Sequence, residues 1–203
     1  GKTTLMKLLL GAYRPTDGEI AIGSYPLENI ARSAWRKQCG AVMQDGYIFP
    51  DTIANNIALQ DKDADPDKVK QAAAIANIDE FITSLPLAYN TVIGANGHGL
   101  SQGQKQRILI ARAVYKNPHY IFFDEATNAL DTHNEQQIME NLEQFFRNRT
   151  VVIIAHRLST VKNADQIVVL DKGVIIEQGT HHELIARKGQ YYHLVKNQLE
   201  LGS

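Results

Sequence analysis

Two acidic residues at the end of an apolar run have the types and order needed for phosphate chemistry. Asp124 and Glu125 directly follow the apolar residues 120–123. If that run is a buried strand, Asp124 would hold Mg²⁺ through water, and Glu125 would act as general base toward an attacking water. The alternative is an acidic strand end that faces solvent. Adjacent carboxylates repel each other, however, and structural requirements rarely justify such a pair.

The first four residues, Gly1, Lys2, Thr3 and Thr4, are of types that bind phosphate. Gly1-Lys2-Thr3 matches the end of the phosphate-loop pattern GxxxxGK[ST]. In that pattern backbone N–H groups cradle phosphates, the lysine reaches the terminal ones, and the hydroxyl ligates Mg²⁺. So short a string more often marks the polar start of an apolar helix. The acidic pair at 124–125 supplies the context that favours phosphate binding.

The elements that must position these residues follow from the apolar pattern. Short apolar runs predict strands at residues 19–23, 40–44, 120–124, 151–155 and 167–171. Helical patterns occur at residues 1–10, 30–38, 52–85, 106–115 and 133–146. Strands that alternate with helices predict an α/β fold, with a largely parallel sheet covered by helices on both faces.

Two stretches of helical pattern carry additional signals. Residues 52–85 look like an inserted helical subdomain, with Pro66 at a helix start and Pro86 as a breaker. Thr180 and Glu183 have the spacing of a capping box. This box predicts a last helix that runs on toward Leu199.

The pentapeptide Leu-Ser-Gln-Gly-Gln at residues 100–104 is the most specific motif of the chain. It resembles the LSGGQ signature of ABC ATPases, with Gln102 in place of one glycine. In that family the serine and glycines lie at a helix N-terminus and bind the γ-phosphate of ATP held by the opposite subunit, as suits the anion preference of such termini. The resemblance assigns nucleotide contacts to Ser101, Gly103 and Gln104, and requires Gln102 to point away. The alternative is a chance turn before a helix.

Further elements of the ABC family appear in order along nearly the whole chain. Gln44 resembles the Q-loop glutamine, which would contact Mg²⁺ or the attacking water and relay nucleotide state to the transporter. Asp131 resembles the D-loop aspartate, which would cross the dimer interface, although Asn128 stands where serine is usual. His156 resembles the switch histidine that binds the γ-phosphate. It follows an apolar strand, at the kind of position where catalytic groups gather.

The resemblance also implies an architecture and cofactors. We expect a P-loop NTPase (RecA-like) core with a mainly parallel sheet, and an inserted α-helical ABC subdomain. Residues 1–44 and 116–203 would form the core and the C-terminal helix, and residues 45–115 the helical signature subdomain. The N-terminal strands and the first part of the phosphate loop would be absent from the chain. The implied cofactors are ATP and Mg²⁺, the metal being held by Thr3, Gln44 and Asp124.

Two segments resemble the exporter branch of the family, and within it the peptidase-containing peptide and bacteriocin exporters. These segments are residues 44–57 and 155–160. Exporters commonly carry an acid shortly before the signature that meets the coupling helices of the membrane domain, whereas this chain has Ala95. The implied function is an ATP-binding and ATP-hydrolysing motor domain that powers export of a peptide or bacteriocin.

The resemblance implies two partners. One is a second copy, packed head to tail so that ATP lies between the phosphate loop of one copy and Ser101 of the other. The other is the transmembrane domain of the same exporter, which would place the chain at the cytoplasmic face of the plasma (inner) membrane. Tyr47, Phe49 and Tyr192 are expected to serve core or interface packing.

Composition excludes several other classes. The chain has 203 residues, and its 21 basic and 22 acidic residues give a formal charge of -1. It lacks the basic excess that neutralises a nucleic-acid backbone, so no nucleic-acid partner is expected. A single cysteine, Cys39, and the lack of a charged-then-apolar leader favour a reducing cytoplasmic setting. The apolar runs fall far short of the roughly 20 residues that cross a bilayer.

Three alternatives remain beside the main interpretation. A non-transport ABC ATPase is one, although only a modest subdomain separates Lys2 from Ser101. A catalytically silent fragment is the second, because a truncated loop makes fewer bonds to phosphate and each missing bond costs roughly 1.5 kcal/mol. A metal site at His181, His182 and His193 is the third. These histidines lack a framework of cysteines or carboxylates, which favours solvated residues at a helix cap.

Overall fold

The computed structural model describes residues 1–59, 61, 63–95, 97–124, 132–155 and 161–201, without the side chains of 132–136 and 198–201. The chain forms two compact units. The larger unit is Glu19–Val152, and the smaller one combines Gly1–Gly18 with Ile153–Ser203. The subdomain boundaries expected after residues 44 and 115 stay a prediction.

Secondary structure covers most of the described residues. The strands are β1 (Ala21–Ile22), β2 (Tyr25–Pro26), β3 (Cys39–Val42), β4 (Asp51–Thr52), β5 (Val92–Ile93), β6 (Tyr120–Asp124), β7 (Thr150–Ile154), β8 (Ile167–Asp171) and β9 (Val174–Gly179). The helices are α1 (Lys2–Leu9), α2 (Arg32–Gln38), α3 (Ile53–Ala58), α4 (Pro66–Ile75), α5 (Asp79–Ser84), α6 (Gln102–Tyr115), α7 (Thr132–Phe146), α8 (His181–Arg187) and α9 (Gln190–Leu201).

Three strands form a sheet whose parallel pair, β3 and β6, belongs to the larger unit. The strand order of this sheet is β3-β6-β7, and β3 runs parallel to β6 with Val42 opposite Phe123. The four residues 121–124 of β6 are all buried. Since successive residues of a strand point to opposite faces, both faces of β6 are covered, as in α/β proteins. The predicted α/β fold with a parallel sheet is confirmed.

The helical part of the larger unit has an apolar core of its own. Thr52 caps α3 by accepting a bond from the N–H of Asn55, and Asp65 caps α4 just before Pro66. Apart from Asn56, the side chains that α3 to α6 bury completely are aliphatic; they are Ile53, Ile57, Ala73, Ile82, Ile108, Ile110 and Ala111. The helical pattern predicted for residues 52–85 is therefore present as three short helices, of which α3 and α4 pack against α6.

The smaller unit contains a hairpin and the two last helices. Strands β8 and β9 pair antiparallel, and β9 has no counterpart among the predicted elements. Five buried residues form the core that joins the hairpin to α8 and α9: Ile167, Val169, Leu184, Tyr191 and Val195. This core explains why the end of the chain folds back on β8.

The prediction of one continuous last helix is wrong. The capping box of Thr180 and Glu183 is present, but α8 ends at Lys188, whose φ of 54° is left-handed. A second helix then begins, because the carboxylate of Glu177 accepts bonds from the N–H groups of Gln190 (3.0 Å) and Tyr191 (2.7 Å). These two bonds satisfy N–H groups that a new helix leaves without partners.

None of the helices among the described residues is long and apolar enough to cross a membrane.

Candidate functional site

The N-terminus of α1 lies open to solvent. Gly1 is the N-cap residue, no side chain caps the helix, and the residues 1–4 are all exposed. The first intrahelical bond runs from the N–H of Leu5 to the carbonyl of Gly1 at 2.9 Å. The N–H groups of residues 2–4 therefore have no acceptor within the helix. They lie at the helix N-terminus, which is the positive end of the helix dipole. This end of α1 fits phosphate.

Asp124 and Gln44 lie at the same edge of the parallel sheet. Asp124 is the last residue of β6, and it comes one position after Phe123. Gln44 comes two positions after Val42, the residue paired with Phe123, and it is exposed in the turn that follows β3. Because the carboxyl ends of parallel strands meet at one edge, the structure brings these two predicted site residues together. The strand predicted to reach Gln44 instead ends at Val42.

The side chain of Asp124 has the burial expected of a metal ligand. Asp124 is only 2% exposed. A buried carboxylate needs a cation or hydrogen-bond donors to replace its hydration. A hard divalent cation such as Mg²⁺ binds one or two carboxylates and keeps several waters, so Asp124 fits this ion. Thr3, the third proposed ligand, is an exposed residue of α1 in the other compact unit.

Ser101 begins α6 with a closed capping box. Its hydroxyl oxygen accepts a bond from the N–H of Gln104 at 3.2 Å, and its own N–H donates to Oε1 of Gln104 at 2.9 Å. The helix starts at Gln102, earlier than the predicted residue 106. Ser101 and Gln102 are exposed, and Gly103 is half-buried. The hydroxyl hydrogen of Ser101 is not used by the box and can still donate to a phosphate oxygen.

The loop before α6 approaches β5 very closely. The N–H of His98 donates to the carbonyl of Val92 at 2.8 Å, and a Cβ added to Gly97 would lie 2.3 Å from that same carbonyl oxygen. Only glycine fits at such a distance. Ala95 is exposed in this loop, where exporters commonly carry an acid. The loop therefore approaches β5 closely although it carries alanine and not an acid at position 95.

Four residues singled out from the sequence lie outside the described residues. They are the proposed general base and its family companions, Glu125, Asn128, Asp131 and His156. Their roles stay predictions.

The histidines near the end of the chain take part in local packing. The Nδ1 atom of His181 lies 2.8 Å from the hydroxyl of Tyr191, and the two rings meet edge to face. Burial lowers the pKa of His181, and the neighbouring His182 and Lys162 lower it further. Tyr191 belongs to the core of the smaller unit, so His181 joins α8 to α9.

Sequence reasoning missed two polar residues next to the Gln44 turn. Asn56 is completely buried, and Arg112 donates to three oxygens of residues 47 and 56. One signal could have revealed Arg112: it is a charged residue between Ala111 and Ala113 in an apolar stretch of α6. Long charged side chains are rarely buried unless they are paired.

The larger unit has a parallel sheet with a buried carboxylate at the end of β6, and the smaller unit has a helix N-terminus that fits phosphate; each is a feature of nucleotide-binding domains of the P-loop type. The family model described as "ABC transporter" matches residues 1–128. The chain belongs to the ABC transporter family and is an ATP-binding domain of that family.

Similar proteins support the same assignment. The chain is 49% identical over 194 residues to the Toxin RTX-I translocation ATP-binding protein of Actinobacillus pleuropneumoniae, covering 95% of this chain and 27% of that protein. It is 47% identical over 202 residues to the Leukotoxin translocation ATP-binding protein LktB of Mannheimia haemolytica, covering 99% and 28%. A solved bacterial Atm1-family ABC exporter with ATP bound matches with a TM-score of 0.92 at 42% identity, covering 98% and 35%. The chain thus spans between a quarter and about a third of these proteins.

Proposed function

We propose that this chain is the ATP-hydrolysing motor domain of an exporter that moves a peptide or protein toxin across the membrane. The observation that carries the proposal is that the buried Asp124 and the exposed Gln44 both lie at the carboxyl edge of the parallel sheet. The names of the relatives support the cargo class, because two of them are translocation proteins for a toxin and a leukotoxin. The solved relative is an exporter.

The residues that bind the nucleotide belong to α1 and to the sheet edge. The free N–H groups of α1 and the ammonium of Lys2 would hold the phosphates. Thr3, Gln44 and Asp124 would hold Mg²⁺. When bound, this ion neutralises charge on the transferred phosphoryl group.

The residues that act on water and on the γ-phosphate come from the motifs. Glu125 would accept the proton of the attacking water, and His156 would donate a hydrogen bond to the γ-phosphate. In a head-to-tail dimer, Ser101, Gly103 and Gln104 of the second copy would contact the same phosphate, and Asp131 would cross between the copies. The exposed start of α6 supports this contact because its remaining N–H groups face solvent.

A transmembrane partner has a suitable surface beside Gln44. Tyr47 is 61% and Phe49 43% exposed, and their rings pack edge to face at 5.0 Å. An exposed aromatic pair directly after Gln44 is the kind of surface that interfaces use. Docking there would place the chain on the cytoplasmic side of the membrane, next to the residue that responds to nucleotide.

The decisive experiment changes Glu125 in the full-length protein. Glu125→Gln keeps the size of the side chain but removes the base, so hydrolysis should fall by at least about a hundredfold while ATP affinity is retained. ATP turnover and nucleotide binding are measured on the same preparation. Glu80→Gln, at an exposed position of α5, is the matched control. Near-normal turnover in Glu125→Gln would refute the assignment of the base.

A further inference from the structure

Asn56 fixes the segment that follows Gln44. Its Oδ1 accepts a bond from the N–H of Phe49 at 2.9 Å, and its Nδ2 donates to the carbonyl of Phe49 at 3.0 Å. Nδ2 also donates to the carbonyl of Thr52 at 3.0 Å. The amide thus pairs with both backbone groups of Phe49, as a neighbouring strand would. Because Asn56 is completely buried, no water can replace these bonds without opening the core.

Arg112 joins this segment to α6. Its Nε donates to the carbonyl of Asn56 at 2.8 Å, one terminal nitrogen to Oδ1 of Asn56 at 3.1 Å, and the other to the carbonyl of Tyr47 at 2.9 Å. The guanidinium carbon lies 5.5 Å from the ring centre of Phe49. One side chain of α6 therefore contacts residues 47, 49 and 56 at the same time.

A second contact lies one turn earlier on the same face of α6. A Cβ added to Gly46 would lie 2.2 Å from Cδ1 of Leu109, so the backbone of Gly46 rests directly on that side chain. Residues three apart in a helix share a face, which places Leu109 and Arg112 side by side. The segment 46–47 thus rests on the helix that begins at Ser101.

The chemistry of these bonds requires arginine. The three acceptors are neutral oxygens, and burial lowers the pKa of Arg112. Only a planar fork with several N–H groups can reach three such oxygens together, whereas lysine offers one compact ammonium. Arg112→Lys would therefore retain the charge and lose the geometry.

We propose that Arg112 is a positioning residue that couples the turn carrying Gln44 to the signature helix, so that Gln44 and Ser101 are held by one element. This inference rests on the proposed function, because it assigns Gln44 to the nucleotide site. Arg112 acts through the segment 46–49 and does not contact the nucleotide.

A matched control exists in the same unit. Arg149 also donates to a carbonyl, that of Pro118 at 3.0 Å, and stacks on Phe145 with 4.0 Å from the guanidinium carbon to the ring centre. Its hydrogen-bond partners are residues 117, 118 and 145, none of which belongs to the Gln44 turn. Arg149→Lys thus tests the cost of losing a comparable half-buried arginine.

The test compares Arg112→Lys with Arg149→Lys in the full-length protein. Amide hydrogen exchange should rise about fivefold or more at residues 46–49 in Arg112→Lys, and should stay unchanged there in Arg149→Lys. The kcat of ATP hydrolysis should fall about tenfold in Arg112→Lys, with KM for ATP within about twofold, because a misplaced group costs rate more than binding.

Two results would overturn the inference: unchanged exchange at residues 46–49 in Arg112→Lys, or the same loss of kcat in both variants. If Arg112→Lys does not fold, Arg112→Gln carries the same test against Arg149→Gln, because the amide retains two N–H donors and cannot reach all three oxygens. The exchange measurement needs no hydrolysis, so it decides the role of Arg112 even if Glu125→Gln refutes the proposed function.

Discussion

The helices α1 and α6 are both expected to bind phosphate at their N-termini, yet they begin in different ways. Gly1 leaves α1 without a side-chain cap, whereas Ser101 and Gln104 close the start of α6 with two reciprocal bonds. A helix end without a cap has donors that only solvent or a ligand can satisfy. A closed cap stabilises the helix before any ligand arrives.

Because of this difference, substitutions at the two helix starts should differ in their effects on ligand binding and on protein stability. At α1 the phosphate would meet Lys2, whose side chain does not cap the helix, so its substitution should mainly change ligand affinity. At α6 the residues that would meet a phosphate also hold the helix together, so their substitution should affect both. Predictions at Lys2 and Ser101 test this division, and two further predictions test the caps of α9 and α8.

The largest effect is expected at Lys2. Lys2→Met removes a charge-assisted bond to phosphate and should weaken ATP binding by about a hundredfold, corresponding to about 2–3 kcal/mol. The melting temperature without ATP should change little, because lysine and methionine have similar helix propensities. Titration with ATP in the full-length protein measures the affinity. Lys7→Met, in the last turn of the same helix, is the control, and equal losses in both variants would contradict the assignment.

The second-largest effect is a loss of stability expected at α9, whose first N–H groups bond to a carboxylate of β9. Glu177→Ala removes the acceptor of two N–H bonds and should lower the free energy of unfolding by about 1–2 kcal/mol. Urea denaturation measures this loss. Gln178→Ala changes the neighbouring, exposed side chain of β9 and should cost much less. If both variants are equally stable, Glu177 does not hold the start of α9.

A smaller loss of stability is expected at Ser101. Ser101→Ala opens the capping box and should cost about 1 kcal/mol in urea denaturation, as is typical of an N-cap. At an ATP concentration that saturates the site, this variant should also weaken the ATP-dependent dimer, which sedimentation can measure. Ser33→Ala, at an exposed position of α2, controls for loss of a hydroxyl. Unchanged stability in Ser101→Ala would mean that the start of α6, like that of α1, affects ligand binding and not folding.

The smallest effect is a pH dependence at α8. The pKa of Glu183 lies below its usual value because the N–H of Thr180 donates to the carboxylate at 2.8 Å, with a further bond from the Thr180 side chain. A lowered pKa in the folded state contributes stability above the unfolded value, and this contribution is lost as pH falls below about 4.5. NMR of the Thr180 amide should follow this loss in the wild type and not in Glu183→Gln. If the Thr180 amide signal also changes with pH in Glu183→Gln, a group other than Glu183 causes the change.

The sequence predicted most of the central elements because their signals are local. Tyr120–Asp124 is apolar and ends in an acid, and the structure has the predicted strand at those residues. The sequence predicts that α6 starts at residue 106, four residues later than in the structure, because Gln102, Gly103 and Gln104 look like loop residues. Only the reciprocal bonds of Ser101 and Gln104 bring these polar residues into the helix.

The remaining differences between the predicted and the observed structure depend on contacts between residues that are distant in the sequence. The break at Lys188 follows from Glu177, which lies 13 residues before Gln190 and accepts its N–H. Arg112 reaches an acceptor 65 residues away, the carbonyl of Tyr47. Periodicity within a window of about 10 to 20 residues cannot register such bonds. The pairing of Asp124 with the Gln44 turn could be predicted because parallel strands share an edge.

The capping boxes of α6 and α8 differ in the charge of the side chain at their third helical residue, and this has an electrostatic consequence. Gln104 closes the box of α6 with an uncharged amide, whereas Glu183 closes that of α8 with a carboxylate. A carboxylate at position 104 would bring a negative charge to the helix end that a phosphate must approach, and like charges at such distances repel strongly in a closed interface. The amide provides the same bonds while leaving the potential at the start of α6 positive.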